Sequence, residues 1–143
     1  MKSKRVLIAE DNPGLAKVLS FKFKSCGFDV VTCGDGAKAW DAFQANEIDA
    51  VVSDHEMPLM SGVDLITEIR KASSDVPCFM VTGRQLELSK NPQIAELNVA
   101  DIFAKPFSPG AVVESVNNAI SQRLAARETA HAANGSDTSD GGQ

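Results

Sequence analysis

Apolar residues along the chain follow two alternating rhythms. RVLIA at 5–9, FDVVTC at 28–33, the stretch from Ile48 to Ser53, VPCFMVT at 76–82 and ADIFA at 100–104 are short apolar runs rich in β-branched residues. Their length and composition predict buried strands. Between them, apolar positions recur at helical spacing. Leu15, Leu19, Phe23 and Cys26 form one stripe, opened by Asn12-Pro13 and closed by Gly27. Asp35 opens a second helix with Trp40 and Phe43 on one face. Ser61 opens a third with Leu65, Ile66 and Ile69, and Ser108-Pro109 a last one with Val113, Val116, Ile120 and Leu124 inward.

Residues 84–98 break the rhythm. Pro92 would end a continuous helix, because it lacks the N–H and its ring clashes with the preceding turn. Asn91-Pro92 instead predicts the start of a short helix that stops at Asn98 in a left-handed conformation, after one loose turn near Leu86.

Strands alternating with helices predict an α/β domain whose parallel sheet is covered on both faces. The domain is expected to span 4–124. From Ala125 the sequence AARETAHAANGSDTSDGGQ is too poor in apolar groups to offset chain entropy, so 125–143 is expected to be a disordered tail. The net charge of -5, without a Lys/Arg cluster, gives no nucleic-acid footprint. No apolar run approaches the roughly 20 residues of a membrane helix. The N-terminus lacks the long apolar segment and cleavage site of a signal peptide, so a cytoplasmic location is expected. Cys26, Cys33 and Cys78 have no C-x-x-C spacing; Cys33 and Cys78, at the ends of apolar runs, read as buried free thiols.

Sites in open parallel sheets form beyond the carboxyl ends of the strands. There the sequence places Glu10-Asp11, Asp54, Thr82-Gly83 and Lys105-Pro106. Alone, Asp54 reads as a turn aspartate; in this company it reads as a working group. Crowded carboxylates raise their own pKa values or bind a cation. Oxygen ligands without His or Cys suit Mg²⁺ (or Mn²⁺). With a cation, the Lys105 ammonium and the Thr82 hydroxyl, the edge can accept a phosphoryl group, which Asp54 can hold as an acyl phosphate.

The pieces VLIAEDNP, VVSDHEMPLMSG, FMVTG and IFAKPF stand in order at the strand ends. Through them the chain resembles the receiver (response regulator) domain of two-component signalling over roughly Lys4 to Arg123. The resemblance implies a flavodoxin-like (βα)5 fold with strand order 2-1-3-4-5. It implies that Asp54 is the phosphoacceptor, served by a phosphohistidine of a sensor histidine kinase or histidine phosphotransfer protein. Asp11 would be the direct metal ligand and Glu10 its water-mediated neighbour, where the family usually has Asp-Asp. Glu56 would give its backbone carbonyl to the metal, leaving its side chain free to vary. Pro58 and Gly62 would shape the loop, Lys105 would bind phosphate, and a cis bond would precede Pro106. Phe103 would be the aromatic switch that turns inward as Thr82 moves, without the hydroxyl of the usual Tyr.

The function so implied is a single-domain phosphorylation switch without an output domain, docking on a downstream target protein. Self-phosphorylation and self-dephosphorylation would be its only chemistry. No direct nucleic-acid or membrane contact is expected, and a phosphorylation-dependent dimer is compatible with the resemblance. The face made by the fourth helix, fifth strand and last helix would carry the signal, reshaped by Pro92. Plainer readings remain open: Phe103 fits a core, Trp40 packing, and His131 an inert place in the tail. His55 reads as a solvent-facing neighbour of the site, since no serine or cysteine nucleophile accompanies it. A phosphatase of the haloacid dehalogenase superfamily would need an Asp where Glu56 stands. A nucleotide-binding module would want a Gly-, Ser- or Thr-rich loop where Glu10-Asp11-Asn12-Pro13 repels phosphate. A receiver that binds partners without phosphorylation is disfavoured by the intact acidic pair, Thr82 and Lys105.

Overall fold

The computed structural model describes residues 3–138, with side chains as far as Thr129. In chain order the elements are β1 (Arg5–Ala9), α1 (Pro13–Ser25), β2 (Asp29–Cys33), α2 (Gly36–Ala45), β3 (Ala50–Asp54) and α3 (Gly62–Ala72). Then come β4 (Cys78–Thr82), α4 (Gln85–Ser89), α5 (Pro92–Leu97), β5 (Asp101–Ala104) and α6 (Pro109–Thr138). The strands form one parallel sheet in the order β2-β1-β3-β4-β5, the expected flavodoxin-like arrangement.

Alternate residues of each strand point to opposite faces. Val6, Ile8, Ala50, Val52, Phe79 and Val81 pack against Leu19 and Phe23 of α1 and Val112, Val116 and Ile120 of α6. Leu7, Val51, Cys78 and Met80 pack against Ala39 of α2, Ile66 and Ile69 of α3 and Ile94 of α5. This two-sided burial explains why the strands read as continuous apolar runs. Trp40 stacks on Phe43, with ring centroids 6.0 Å apart, and closes the second face.

The helix starts follow from their caps. Asn12 Oδ1 accepts from the N–H groups of Gly14 and Leu15, Asp35 Oδ1 from Lys38, Ser61 Oγ from Asp64 and Ser108 Oγ from Ala111. Gly27 closes α1 at φ 90°, a conformation open to glycine. Between Thr82 and β5 the chain forms the two expected pieces. Asn91 caps α5 at Pro92, and Asn98 ends it at φ 54°. Arg70 of α3 fixes that end: its guanidinium donates to the carbonyls of Leu97 (2.7 Å), Val76 (2.8 Å) and Asn98 (3.3 Å).

The expected tail is corrected in part. α6 does not stop at Leu124 but continues to Thr138, while residues 139–143 lie outside the described ones. Ala125, Ala126, Arg127 and Glu128 are good helix formers. Arg123 and Arg127 both reach Asp75 in the loop after α3, at 3.0 and 3.1 Å, which ties the extension to the domain. These contacts hold the Asp75 carboxyl down at about 2, with the Arg123 hydrogen bond the largest cause. His131 belongs to this stretch, beyond the described side chains. Of the cysteines, Cys78 is buried and its thiol is pushed up to about 11 by that burial. Cys33 is half-buried and Cys26 exposed, so the buried reading holds for Cys78 alone.

Candidate functional site

The carboxyl edge of the sheet gathers the polar strand ends. Asp54 is the last residue of β3 and only 2% exposed. Glu10, 3% exposed, follows β1, where its N–H bonds to Cys33 of β2 at 3.0 Å. Lys105 follows β5, its N–H bonded to Thr82 O at 2.9 Å. The same strand pairing that forms the core therefore carries these side chains to one edge.

Lys105 Nζ lies 3.0 Å from Asp54 Oδ2 and 3.4 Å from Glu10 Oε1. Carboxylate oxygens of Glu10, Asp11 and Asp54 lie within 4.8 Å of one another, with Asp11 exposed to solvent. Burial is the largest cause that pushes Glu10 up to about 7, and the Asp54 charge adds to it; the Asn12 N–H and the Lys105 ammonium oppose them. Burial pulls the Lys105 ammonium down, but the bonds and charges of Asp54 and Glu10 outweigh it and leave its pKa raised. Glu10 Oε1 is shielded from water and receives no hydrogen bond. A buried carboxylate oxygen faced only loosely by the Lys105 ammonium at 3.4 Å, and in reach of two further carboxylates, fits a hard divalent cation.

The loop after Asp54 is held tightly. A Cβ on Gly62 would stand 2.5 Å from Asp54 O, and the Gly62 N–H bonds to His55 O at 3.0 Å. A Cβ on Gly36 would stand 2.2 Å from Met60 O, so the start of α2 presses the loop from the other side. Leu59, between them, sits at φ 70°, which a leucine adopts at a cost of about 1 kcal/mol. The Lys105–Pro106 peptide is cis.

Two sequence readings change here. The Glu56 side chain is not free: the Thr82 hydroxyl donates to its carboxylate, 2.9 Å to Oε2 and 3.2 Å to Oε1. The Glu56 N–H meanwhile donates to Asp54 Oδ1 at 3.3 Å. His55 faces solvent only in part: it is half-buried, and its Nδ1 is shielded from water and without a hydrogen-bond partner. Its N–H continues the sheet pairing to Val81 O at 3.1 Å. Phe103 is half-buried and stacked on Phe79, centroids 6.3 Å apart and 25° between planes, as a core residue would be.

A family model described as "Response regulator receiver domain" matches residues 6–117. The chain belongs to the response regulator receiver family. Its curated relatives include the sensory transduction protein RegX3 of Mycolicibacterium smegmatis, 36% identical over 130 residues, covering 91% of this chain and 56% of the relative. PhoP of Bacillus subtilis, a transcriptional regulator of alkaline phosphatase synthesis, is 28% identical over 110 residues, 77% of this chain and 45% of that protein. The chain thus spans about half the length of these relatives. Among solved structures, the receiver of sensor histidine kinase PA1611 from Pseudomonas aeruginosa holds a magnesium ion in its active-site cleft. It superposes with a TM-score of 0.75 at 25% identity, over 84% of this chain and 99% of that one. A CheY-like receiver from Methanospirillum hungatei shares the fold at a TM-score of 0.80 and 19% identity, over 86% of this chain and 98% of its own.

Receiver domains are signalling modules that switch on phosphorylation and work with sensor histidine kinases or phosphotransfer proteins and downstream targets. The family binds Mg²⁺ in an acidic pocket, and this receiver has such a pocket in Glu10, Asp11 and Asp54. Among the described residues, no helix is long and apolar enough to cross a membrane.

Proposed function

We propose that this receiver takes a phosphoryl group from a phosphohistidine of a sensor kinase or phosphotransfer protein onto Asp54, and that the acyl phosphate shifts the surface a target protein reads. The observation that carries this reading is the buried Asp54 carboxylate, 3.0 Å from the Lys105 ammonium and in reach of the Glu10 and Asp11 carboxylates. A carboxylate so placed costs desolvation, and a chain folds around it when the site has work to do.

In the transfer, an Asp54 oxygen forms a bond to phosphorus as the P–N bond to the histidine breaks. The electron pair of that bond stays on the imidazole nitrogen, which takes up a proton. Glu10, Asp11, Asp54 and the Glu56 carbonyl would hold Mg²⁺ (or Mn²⁺), which supplies positive charge against the negative charge of the transferring group. Lys105 adds a fixed charge on the other side. The Thr82 hydroxyl, once released, donates to a phosphoryl oxygen, and its displacement opens room for the Phe103 ring to rotate inward. The product is a population shift toward that arrangement. The reading surface is the side of α4, α5, β5 and α6, which the break at Asn91-Pro92 divides into two pieces.

The phosphodonor reaches Asp54 past α1, which carries Lys17, Lys22 and Lys24 without an acid and exposes Val18 and Phe21. In this reading the receiver acts as a switch whose phosphorylated surface docks a target protein.

The test is uptake of labelled phosphate from a small acyl-phosphate donor. Asp54→Asn abolishes uptake, and a chelator abolishes it in the unaltered protein. Label at the wild-type level in Asp54→Asn removes Asp54 from the reaction.

A further inference from the structure

The Thr82 hydroxyl has one proton, and the structure shows where it goes. The Arg84 N–H donates to Thr82 Oγ1 at 2.9 Å and occupies one lone pair. The hydroxyl itself donates to the Glu56 carboxylate, with both carboxylate oxygens inside hydrogen-bond distance. Thr82 is fully buried, so its proton has no competing water, whereas Glu56 stands at the rim of the site. The residue that the switch needs as a donor is therefore already committed.

We propose that Glu56 is a positioning residue that latches the resting state by holding the Thr82 hydroxyl away from Asp54. The inference rests on the reading of Asp54 as phosphoacceptor. A phosphoryl oxygen on Asp54 wins the proton from Glu56, and the two acceptors compete for one donor. No bond to a heavy atom is made or broken in this exchange: the hydroxyl turns from one oxygen to another. A ligand shifts a two-state equilibrium only by its difference in affinity for the two states. Every factor by which Glu56 holds the resting state is thus taken from the apparent affinity for the phosphoryl group. A hydrogen bond to a charged acceptor, at a partly solvated site, sets that factor at about tenfold, equivalent to about 1.4 kcal/mol.

The geometry also separates the two parts of Glu56. Its backbone carbonyl, the expected metal ligand, stays in every side-chain variant. Its side chain alone contacts Thr82 among the polar contacts shown. Neutralising an acid near an anion site also raises anion affinity through the field, independently of Thr82. The experiment has to divide these two effects.

The probe is beryllofluoride with Mg²⁺, titrated into the protein, with the backbone amide signals of Gly83 and Arg84, present in every variant, followed by NMR. Glu56→Ala lowers the beryllofluoride concentration for half-saturation about tenfold, and Glu56→Gln, which keeps an acceptor oxygen without the charge, falls between. The same Glu56→Ala change in a Thr82→Val background has less than about a twofold effect, because the donor is gone. A second readout needs neither metal nor mimic: in the free protein, Glu56→Ala moves the Gly83 and Arg84 amide signals toward their beryllofluoride-bound positions. An equal effect of Glu56→Ala in the Thr82 and Thr82→Val backgrounds, or no effect in either, overturns the latch alone. Wild-type protein that ignores beryllofluoride at every Mg²⁺ concentration overturns the phosphoacceptor reading and the latch with it.

Discussion

Replacing Lys105 with methionine keeps most of the side-chain volume and removes the ammonium that stands between Asp54 and Glu10. At 3.0 Å, an effective dielectric of 20 gives a gross attraction of about 5 kcal/mol for the Asp54 pair. Lys105 is 24% exposed, and its own desolvation opposes the attraction, so the net loss is about 1–3 kcal/mol. For a chain of this size that corresponds to a fall in Tm of about 3–10 °C. The loss should depend on the cation. Both Lys105 and a divalent ion neutralise the same carboxylates, so Lys105→Met leaves oxygens free for the ion to take. Thermal unfolding followed by circular dichroism in EDTA should show the full deficit. In saturating MgCl₂ the deficit should shrink by half or more, and Mg²⁺ should bind the variant at least as tightly as the wild type. The response to beryllofluoride should still weaken, because the ion cannot replace the second charge facing the phosphoryl mimic. An equal deficit with and without Mg²⁺, or weaker Mg²⁺ binding in the variant, would refute the view that lysine and cation share one charge-neutralising role.

Gly36→Ala places a methyl group against the Met60 carbonyl, 2.2 Å from its ideal position, and backbone cannot yield cheaply. It should cost about 1–3 kcal/mol in urea denaturation and slow phosphate uptake through the displaced loop; unchanged stability would show that α2 does not brace the loop. Asp75→Asn tests the anchor of α6. The Asp75 carboxyl is depressed from 3.8 to about 2, so its stabilisation is present above about pH 4 and lost as pH falls toward 2. With the exposure of Asp75 taken into account, the variant should lose about 1 kcal/mol at neutral pH, and the gap to wild type should close below pH 4. A gap independent of pH would assign the effect to packing. Arg70→Ala removes the donors on Leu97, Val76 and Asn98, and should speed amide exchange in 92–98 at least tenfold while β3 and β4 stay protected. Uniform loss of protection would mean that Arg70 serves global stability.

The fold was legible because a doubly covered parallel sheet forces a code that a single sequence displays. The central strands are buried on both faces, so their apolar runs are unbroken, and every helix but α4 starts at a cap, which Asn12, Asp35, Ser61, Asn91 and Ser108 provide. Strand starts were less legible. The runs from Ile48 and Val76 begin two residues before β3 and β4, because residues entering a sheet are buried before they pair. The helical extension beyond Leu124 was missed for another reason. Its Ala-rich sequence has no apolar stripe, and the anchor is an ion pair with Asp75, about fifty residues earlier.

The candidate site divides along the same line. That Glu10, Asp11, Asp54 and Lys105 meet was readable from their places at strand ends, since the sheet order brings those ends together. The Thr82–Glu56 bond was not readable, because it joins a strand end to a loop whose path depends on Gly36 and Gly62 fitting against backbone. Contacts that repeat with the period of an element leave a trace in sequence. A single side chain crossing to a neighbouring loop leaves none.

The broken segment after β4 gains meaning from its tethers. Arg84, which opens α4, bonds through its N–H to the Thr82 hydroxyl, and Gln85 Nε2 bonds to Ile102 O of β5 at 2.7 Å, beside Phe103. α4 is thus fastened to Thr82 and, through Ile102, to the strand that carries Phe103. Both pieces reach the core, α4 through Leu88 and α5 through Ile94 and Leu97, but α5 alone is also held by Arg70 of α3 among the hydrogen bonds shown. A continuous helix would carry a shift of Thr82 along its whole length as a rigid rod. Here Lys90 and Asn91 stand between a piece that follows Thr82 and a piece that stays with the sheet. The conformational signal should therefore concentrate in residues 84–90, where Leu86 projects into solvent as the apolar side chain best placed to report it.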